Sequence, residues 1–364
     1  MIKRIVLKNF KCFESLNLEF RELNLFTGIN GMGKSTLIQA ILLLRQTFES
    51  SNLYKGKSII LNGHYVRVGT IKDISYWYKK DDSIQIVIED DTKVWKCELE
   101  QKNNKLVINS VNTISPSDAL TGEGFEYISA ERLGPQRYYD NLESEEKHSN
   151  QVGAKGENTL ACLYNIGSDY KIYANMKHSS ETSERLDMQV DAWMSEISPG
   201  IKIRTTPYLD VNLMGLRYAT SNLMGEESAS AINMGFGVSY VLPVVVSLLK
   251  AKKGDLVILE NPEAHLHPKG QRRIGELIAL AAANGVQVVV ETHSDHILNG
   301  IRLAVKQKKI RTEQIKINYF YEFVDKEGMP KHEKTSPEIL SDGSLTNWPD
   351  GFFDEWDKAV EELF

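Results

Sequence analysis

Residues Gly28 to Thr36 read GINGMGKST, the spacing GxxxxGK[ST]. Glycines at those places let successive backbone N–H groups converge on phosphate oxygens. A helix that begins at the lysine adds the positive end of its dipole. Lys34 is then placed to neutralise the outer phosphates of a nucleoside triphosphate, and Ser35 to offer its hydroxyl to Mg²⁺. Asn30, Gly31, Gly33 and Thr36 complete the cradle. The plain alternative is a glycine-rich turn before an ordinary helix. The apolar strand predicted on one side and the helical pattern on the other argue against it.

A second chemical stretch is LVILENPEAHLHP, residues 256–268. Four apolar residues of a buried strand deliver Glu260, a carboxylate for Mg²⁺ or its water shell. In the ATPases that this segment resembles, the next position usually carries a second carboxylate that handles the attacking water; here it is Asn261. An amide can hold water but cannot take its proton. Two neighbours can compensate: Glu263, and His293, which follows the next apolar strand in VVVETHSDH. Making Glu260 the base instead would put Leu259 at the metal position, which is chemically worse. Phosphoryl transfer depends mainly on positioning and charge neutralisation. The expectation is therefore slow Mg²⁺-dependent hydrolysis, with nucleotide binding without turnover as the alternative. His265 and His267 follow Glu263 at zinc-like spacing, but a third strong ligand is lacking. In the ATPases that this segment resembles, the stretch lies at a dimer interface, so interface packing is favoured over a metal site for them.

Ahead of the acidic strand, NMGFGVSY (Asn233 to Tyr240) is a glycine-rich turn that opens the apolar helix VLPVVVSLL. The order is phosphate loop, glycine-rich turn, acidic strand, then histidine after the next strand. It resembles the ABC-type ATPase head, and more closely the soluble heads of SMC and OLD-like bacterial ATPases. LKNF, NGMGKST, PEAHLHP and THSDH stand here as they do in that group. The chain end, SDGSLTNWPDGFFDEW, resembles the tail box of a bacterial ATPase family of unassigned function, often linked to prophages and anti-phage defence.

That resemblance implies ATP and Mg²⁺ as cofactors, with Ser35 and Glu260 on the metal. It implies a homodimer that sandwiches two nucleotides. Gly235 and Gly237, with Asn233 or Ser239, would cap the γ-phosphate held by the other subunit, although the turn departs from the usual LSGGQ. The closed state would be relayed to an effector protein or to DNA. A transporter subunit is disfavoured by the β-rich insertion, the altered turn and the tail. A self-contained nuclease is disfavoured by the roughly 60 residues that follow the last motif, few for a further domain.

Bulk properties agree. At 364 residues, 41% hydrophobic and 25% charged, the chain can bury a sizeable core. A net charge of −6 and a pI near 5.8 provide no general basic field for nucleic acid. The basic run KQKKIR, Lys306 to Arg311, is the local candidate for phosphate-backbone contact, with a solvated helix end as its plainer reading. Cys12, Cys97 and Cys162 are scattered, so neither a zinc site nor a disulfide framework is expected. No apolar run is long enough to span a bilayer, and the start lacks a signal-peptide core. A cytoplasmic protein without membrane partners is expected.

The elements that must position these residues are read from periodicity. Three short strands fill residues 2–27, and a helix follows from Lys34 to about Phe48. Alternating segments in 64–112, namely ISYWY, SIQIVIE, KVWKCELE and KLVINSV, predict an antiparallel meander with one wet face. Residues 131–158 read as a long polar loop and 180–196 as a helical arm or lid. From 232 onward helices and strands alternate as in a parallel sheet. The expected class is α/β: an ABC-ATPase head with a mixed, mainly parallel core sheet, an antiparallel β subdomain and a short helical insertion. The expected organisation is one domain over 1–364. Within it are a β subdomain at 64–130, an insertion at 131–230, and the C-terminal half of the core with its tail at 231–364. In the tail, Phe353, Trp356, Val360 and Leu363 share one helical stripe expected to cover the protein's own core.

Overall fold

The computed structural model describes residues 1–363 apart from 52–54, 79–82, 103–104, 112–117, 141–150 and 221–227. The middle of the predicted polar loop, 141–150, thus lies outside the described residues. In chain order, β1 (Ile2–Phe10) and β2 (Phe13–Glu19) form a hairpin. Next, β3 (Leu23–Gly28) runs into the phosphate loop and α1 (Lys34–Glu49). A single turn, α2 (Ile71–Ile74), precedes β4 (Ser83–Asp90), β5 (Val94–Lys102) and β6 (Lys105–Val111). After α3 (Asp118–Thr121) come β7 (Phe125–Ile128) and β8 (Tyr138–Asp140). Then follow α4 (Thr159–Ile166), α5 (Leu186–Ile197), β9 (Ile201–Tyr208), β10 (Leu213–Thr220) and β11 (Ser228–Ser230). The last part alternates: α6 (Phe236–Lys250), β12 (Leu256–Glu260), α7 (Pro268–Ala283), β13 (Gln287–Glu291) and α8 (Asp295–Lys306). It closes with β14 (Ile315–Val324), β15 (Pro330–Thr335) and α9 (Glu355–Leu363).

The core sheet has the order β15-β14-β3-β13-β12-β7. Its strands are parallel except β15, which is antiparallel to β14. Both faces are covered, which is why LVIL and VVV read as unbroken apolar runs. Val257, Leu259, Val288 and Val290 belong to the core built with α5 to α8. Leu256, Ile258 and Val289 belong to the core shared with α1 and the antiparallel sheet. That second sheet has the order β2-β1-β4-β5-β6. It therefore draws β1 and β2 from outside residues 64–130, whereas β7, inside that range, joins the core sheet.

Three local expectations differ from the structure. ISYWY is not a strand: Ile74 ends α2, and only Ser75 bridges to Phe10. Thr70 starts that turn by donating from its N–H and hydroxyl to Asp73 Oδ2, at 2.6 and 2.7 Å. The edge of β1 is taken instead by β4. The predicted arm is also a core element. Leu186, Val190, Trp193 and Met194, spaced i, i+4, i+7 and i+8, form the apolar stripe of α5 and are all buried in the main core. In the tail, Phe352 is fully buried, but Leu363 is 74% exposed, so the stripe of α9 does not cover the core along its length. The side chain of Trp356 lies outside the described residues.

Candidate nucleotide site

The phosphate loop sits where β3 meets α1. Gly28, Gly31 and Gly33 hold φ of 137°, 85° and 97°, left-handed backbone that side chains resist. At Gly33 a Cβ would also lie 2.5 Å from the Phe13 ring and 2.8 Å from Cys12 Sγ, so the β1–β2 turn closes directly on the loop. Asn30 and Gly31 are exposed, whereas Lys34 and Thr36 are buried. Lys34 Nζ donates to the carbonyls of Gly28 (2.7 Å) and Ile29 (2.8 Å), and burial lowers its pKa.

The acidic residues come from the strand ends beside this loop. Glu260 closes β12 and pairs in register with Glu291, which closes β13. Glu260 accepts from Ala130 N–H at 3.2 Å and from the Tyr127 hydroxyl, and burial raises its pKa. Glu291 lies on the strand next to β3, in register with Phe26. Its Oε1 accepts from Ser35 Oγ at 2.9 Å, and its Oε2 is buried without a hydrogen-bond partner. Burial, and after it the charge of Glu260, pushes the Glu291 carboxyl up to about 7. The reading of the sequence missed Glu291. The signal was present in VVVETHS, an acidic residue at the end of an otherwise apolar strand.

Asn261 has φ 44°, the left-handed region in which asparagine is the best tolerated residue after glycine. Its N–H donates to the Glu291 carbonyl at 2.8 Å, and its side-chain Oδ1 is buried without a partner. The structure thus gives an asparagine at 261 a backbone reason. Glu263 is buried and accepts from His293 N–H at 3.0 Å, which fixes the turn between β13 and α8. Burial raises its pKa. The His293 ring is exposed, and partial burial together with the nearby Lys34 ammonium holds its pKa down.

A basic residue in the predicted polar loop was also missed. Arg132 is 4% exposed and donates from Nη2 to the Asn261 carbonyl at 2.6 Å. Its guanidinium lies 5.3 Å from the Tyr240 ring centroid. Burial pushes its pKa down to about 10. Nothing in the local pattern AERLG distinguishes it from a solvated arginine.

The glycine-rich turn leads into α6. Asn233, Gly235 and Phe236 are exposed. Gly237 touches the chain closely, since a Cβ there would lie 2.5 Å from the His265 carbonyl. Ser239 is buried, 3.3 Å from the Tyr218 hydroxyl, so it is not on the exposed rim with Asn233. The His265 ring packs on Tyr240 and Phe236 with centroids 4.8 and 5.6 Å apart, and His267 caps α7. Among the described residues no three His, Cys, Asp or Glu side chains gather as a metal cluster.

Residues 1–190, which carry the phosphate loop, match the AAA ATPase domain family. The chain belongs to that family. Two further stretches of this ATPase domain also match family descriptions: residues 196–299 "AAA domain, putative AbiEii toxin, Type IV TA system", and residues 310–363 a protein family of unknown function, DUF3696. An OLD nuclease from Thermus scotoductus is 22% identical over 370 aligned positions, covering 88% of this chain. The chain spans 65% of that relative's length. In fold the ATPase domain is similar to an SMC head bound to the C-winged helix domain of ScpA (TM-score 0.51, 13% identity, 92% of this chain and 97% of that one). It is equally similar to an SMC head domain with an extended coiled coil bound to the C-terminal domain of ScpA, from Pyrococcus furiosus (TM-score 0.51, 12% identity, 100% and 99%). The α/β head architecture with mixed sheets agrees with the expected class.

The donors beside the loop fit the ion such a domain would use. The Ser35 hydroxyl and the strand-end carboxylates are oxygen ligands, which Mg²⁺ takes along with phosphate oxygens and water. The tail borders the same region: the Tyr319 hydroxyl donates to the Asp350 carbonyl at 2.8 Å, and a Cβ on Gly351 would lie 3.8 Å from Ile29. The basic run lies elsewhere. Lys308 and Lys309 line a cavity of about 450 Å³ with Lys177, His178 and Arg273, and Lys309 pairs with Glu276. No helix among the described residues is long and apolar enough to cross a membrane.

Proposed function

We propose that this domain binds ATP with Mg²⁺ and hydrolyses it slowly, and that two copies close around two nucleotides. The observation that carries the reading is the glycine cradle with Lys34 at its centre and Ser35 joined to a buried strand-end carboxylate. Ser35 with a strand-end carboxylate would hold Mg²⁺, which neutralises charge on the β- and γ-phosphates when bound. Lys34 supplies the ammonium, and the N–H groups of residues 31–36 orient the phosphates. His293, exposed two residues before α8, would contact the γ-phosphate.

The dimer reading is supported by what the surface presents. Ile29 in the phosphate loop is 61% exposed, and Ile232 and Phe236 flanking Asn233 and Gly235 are 49% and 54% exposed. A second copy that caps one loop with the other's glycine-rich turn would cover all three. In this reading the closed dimer relays its state to an effector protein or to DNA, in a role connected with anti-phage defence. ATP binding without turnover is the second reading, favoured by the absence of a carboxylate at position 261.

Titration with a fluorescent ATP analogue tests the assignment. Lys34→Ala is expected to weaken binding at least tenfold, and wild-type affinity in that variant would remove it. Light scattering of Glu260→Gln with and without ATP tests the dimer, expected as a doubling of mass on ATP. If the protein is already dimeric, an ATP-responsive cross-link between the two sites replaces the mass change. Steady-state phosphate release separates turnover from binding alone.

A further inference from the structure

The ATPase reading leaves one chemical gap, because Asn261 cannot take a proton. We propose that the missing carboxylate comes from the neighbouring strand: Glu291 serves with Ser35 as the metal-side group, and Glu260 is thereby free to handle the attacking water. This inference rests on the proposed ATPase function and deepens it.

Topology makes the exchange possible. Parallel neighbours in register project side chains to the same face, with strands about 4.8 Å apart. Glu260 and Glu291 are such a pair, each the last residue of its strand. The order β3-β13-β12 puts Glu291 one strand from the phosphate loop and Glu260 two strands away. The objection to Glu260 as base was that Leu259 would then occupy the metal position. With Glu291 there, the objection disappears.

The side chains divide in the same way. Glu291 commits one oxygen to Ser35 Oγ at 2.9 Å, the hydroxyl assigned to the metal. The residue is 6% exposed, and its other oxygen, Oε2, has no hydrogen-bond partner. A buried carboxylate oxygen without a donor is costly unless a ligand completes it. A divalent cation beside the serine hydroxyl is the ligand that this donor set fits. Glu260 is held from the far side, by Ala130 N–H and the Tyr127 hydroxyl, and makes no hydrogen bond to Ser35. Those contacts fix its carboxylate and leave capacity to accept from a water. In hydrolysis the water oxygen bonds to the γ-phosphorus and the bond from that phosphorus to the bridging oxygen breaks. Its electron pair leaves with ADP, and the water proton passes to Glu260.

Glu291→Gln and Glu260→Gln are near-isosteric, and their melting temperatures check that each folds. The first measurement is ATP-analogue affinity with Mg²⁺ and with EDTA. The second is binding of Mn²⁺ in the presence of a non-hydrolysable analogue, followed by electron paramagnetic resonance. Glu291→Gln is expected to keep its affinity in EDTA, lose the tightening by Mg²⁺, and weaken Mn²⁺ binding at least tenfold. Glu260→Gln is expected to keep both metal effects and lose turnover by about 10²-fold or more. The proposal is overturned if Glu291→Gln retains wild-type metal dependence, or if Glu260→Gln is the variant that loses it. A wild-type protein that binds no ATP would instead overturn the ATPase reading itself, and this inference with it.

Discussion

Arg132 Nη2 lies 2.6 Å from the carbonyl oxygen of Asn261, joining the chain after β7 to the turn after β12. The same guanidinium stands over Tyr240 on α6, which ties that turn to the helix following the glycine-rich segment. Removing it is expected to loosen both. A hydrogen bond from a charged group contributes about 1.5–3 kcal/mol, so Arg132→Ala should lower unfolding free energy by roughly 2 kcal/mol. Arg132→Met should cost less, because it refills the space over Tyr240 and leaves no charge to bury. Urea unfolding of the three proteins at pH 7 decides, and an unchanged midpoint for Arg132→Ala would deny the contact any structural weight.

Asn261 yields a prediction that separates backbone from chemistry. Left-handed backbone costs a residue with a Cβ about 1–2 kcal/mol, less for asparagine and nothing extra for glycine. Asn261→Gly is therefore expected to keep both stability and phosphate release within a few-fold of wild type. Asn261→Glu should lose about 1 kcal/mol and gain no turnover. A tenfold or greater rise in phosphate release for Asn261→Glu would return the water-handling role to this position.

These residues also show what a linear reading can and cannot reach. The phosphate loop, the acidic strand and the β/α alternation after 232 are local patterns, each set by spacing within a few residues, and the structure places them as expected. Glu291 needed more: its meaning depends on β13 lying between β3 and β12, an order fixed by tertiary packing rather than by its neighbours in sequence. Arg132 needed the same, since a buried arginine in a loop looks like a solvated one until its partners are known. The helix α5 reads as an arm in sequence because an amphipathic stripe does not say what it packs against, here the main core. ISYWY alternates as a strand does, yet β1 had only one edge to offer and β4 takes it.

The pair Glu126 and Lys250 allows a test of what holds the core sheet to α6. Glu126 on β7 is 5% exposed, and its carboxylate pairs with the Lys250 ammonium at the end of α6. Burial raises the Glu126 pKa against the attraction of that lysine. Removing one partner of a buried pair strands the other charge, at a cost of about 3–5 kcal/mol, whereas replacing both by apolar residues is often neutral. Lys250→Met should therefore be severely destabilised, and Glu126→Leu combined with Lys250→Met should recover most of the loss. Thermal unfolding of the single and double variants checks this, and additive losses would mean that the pair does not act as a unit.

Gly31 and Gly33 distinguish backbone strain from collision inside the phosphate loop. Both have positive φ, 85° and 97°, so alanine at either position carries a similar backbone cost of about 1–2 kcal/mol. Their surroundings differ. A Cβ at Gly31 meets nothing within 4 Å, whereas one at Gly33 meets the Phe13 ring at 2.5 Å and Cys12 Sγ at 2.8 Å. Relief at Gly33 requires the β1–β2 turn to move, and Phe13 is fully buried among Phe320 and its neighbours. Gly33→Ala is therefore expected to lose more stability and more ATP-analogue affinity than Gly31→Ala. Phe13→Leu added to Gly33→Ala should recover part of both, because a smaller side chain there yields the space the methyl needs. Equal losses at the two glycines, with no recovery from Phe13→Leu, would mean that backbone conformation alone sets the loop and that the hairpin only happens to lie against it.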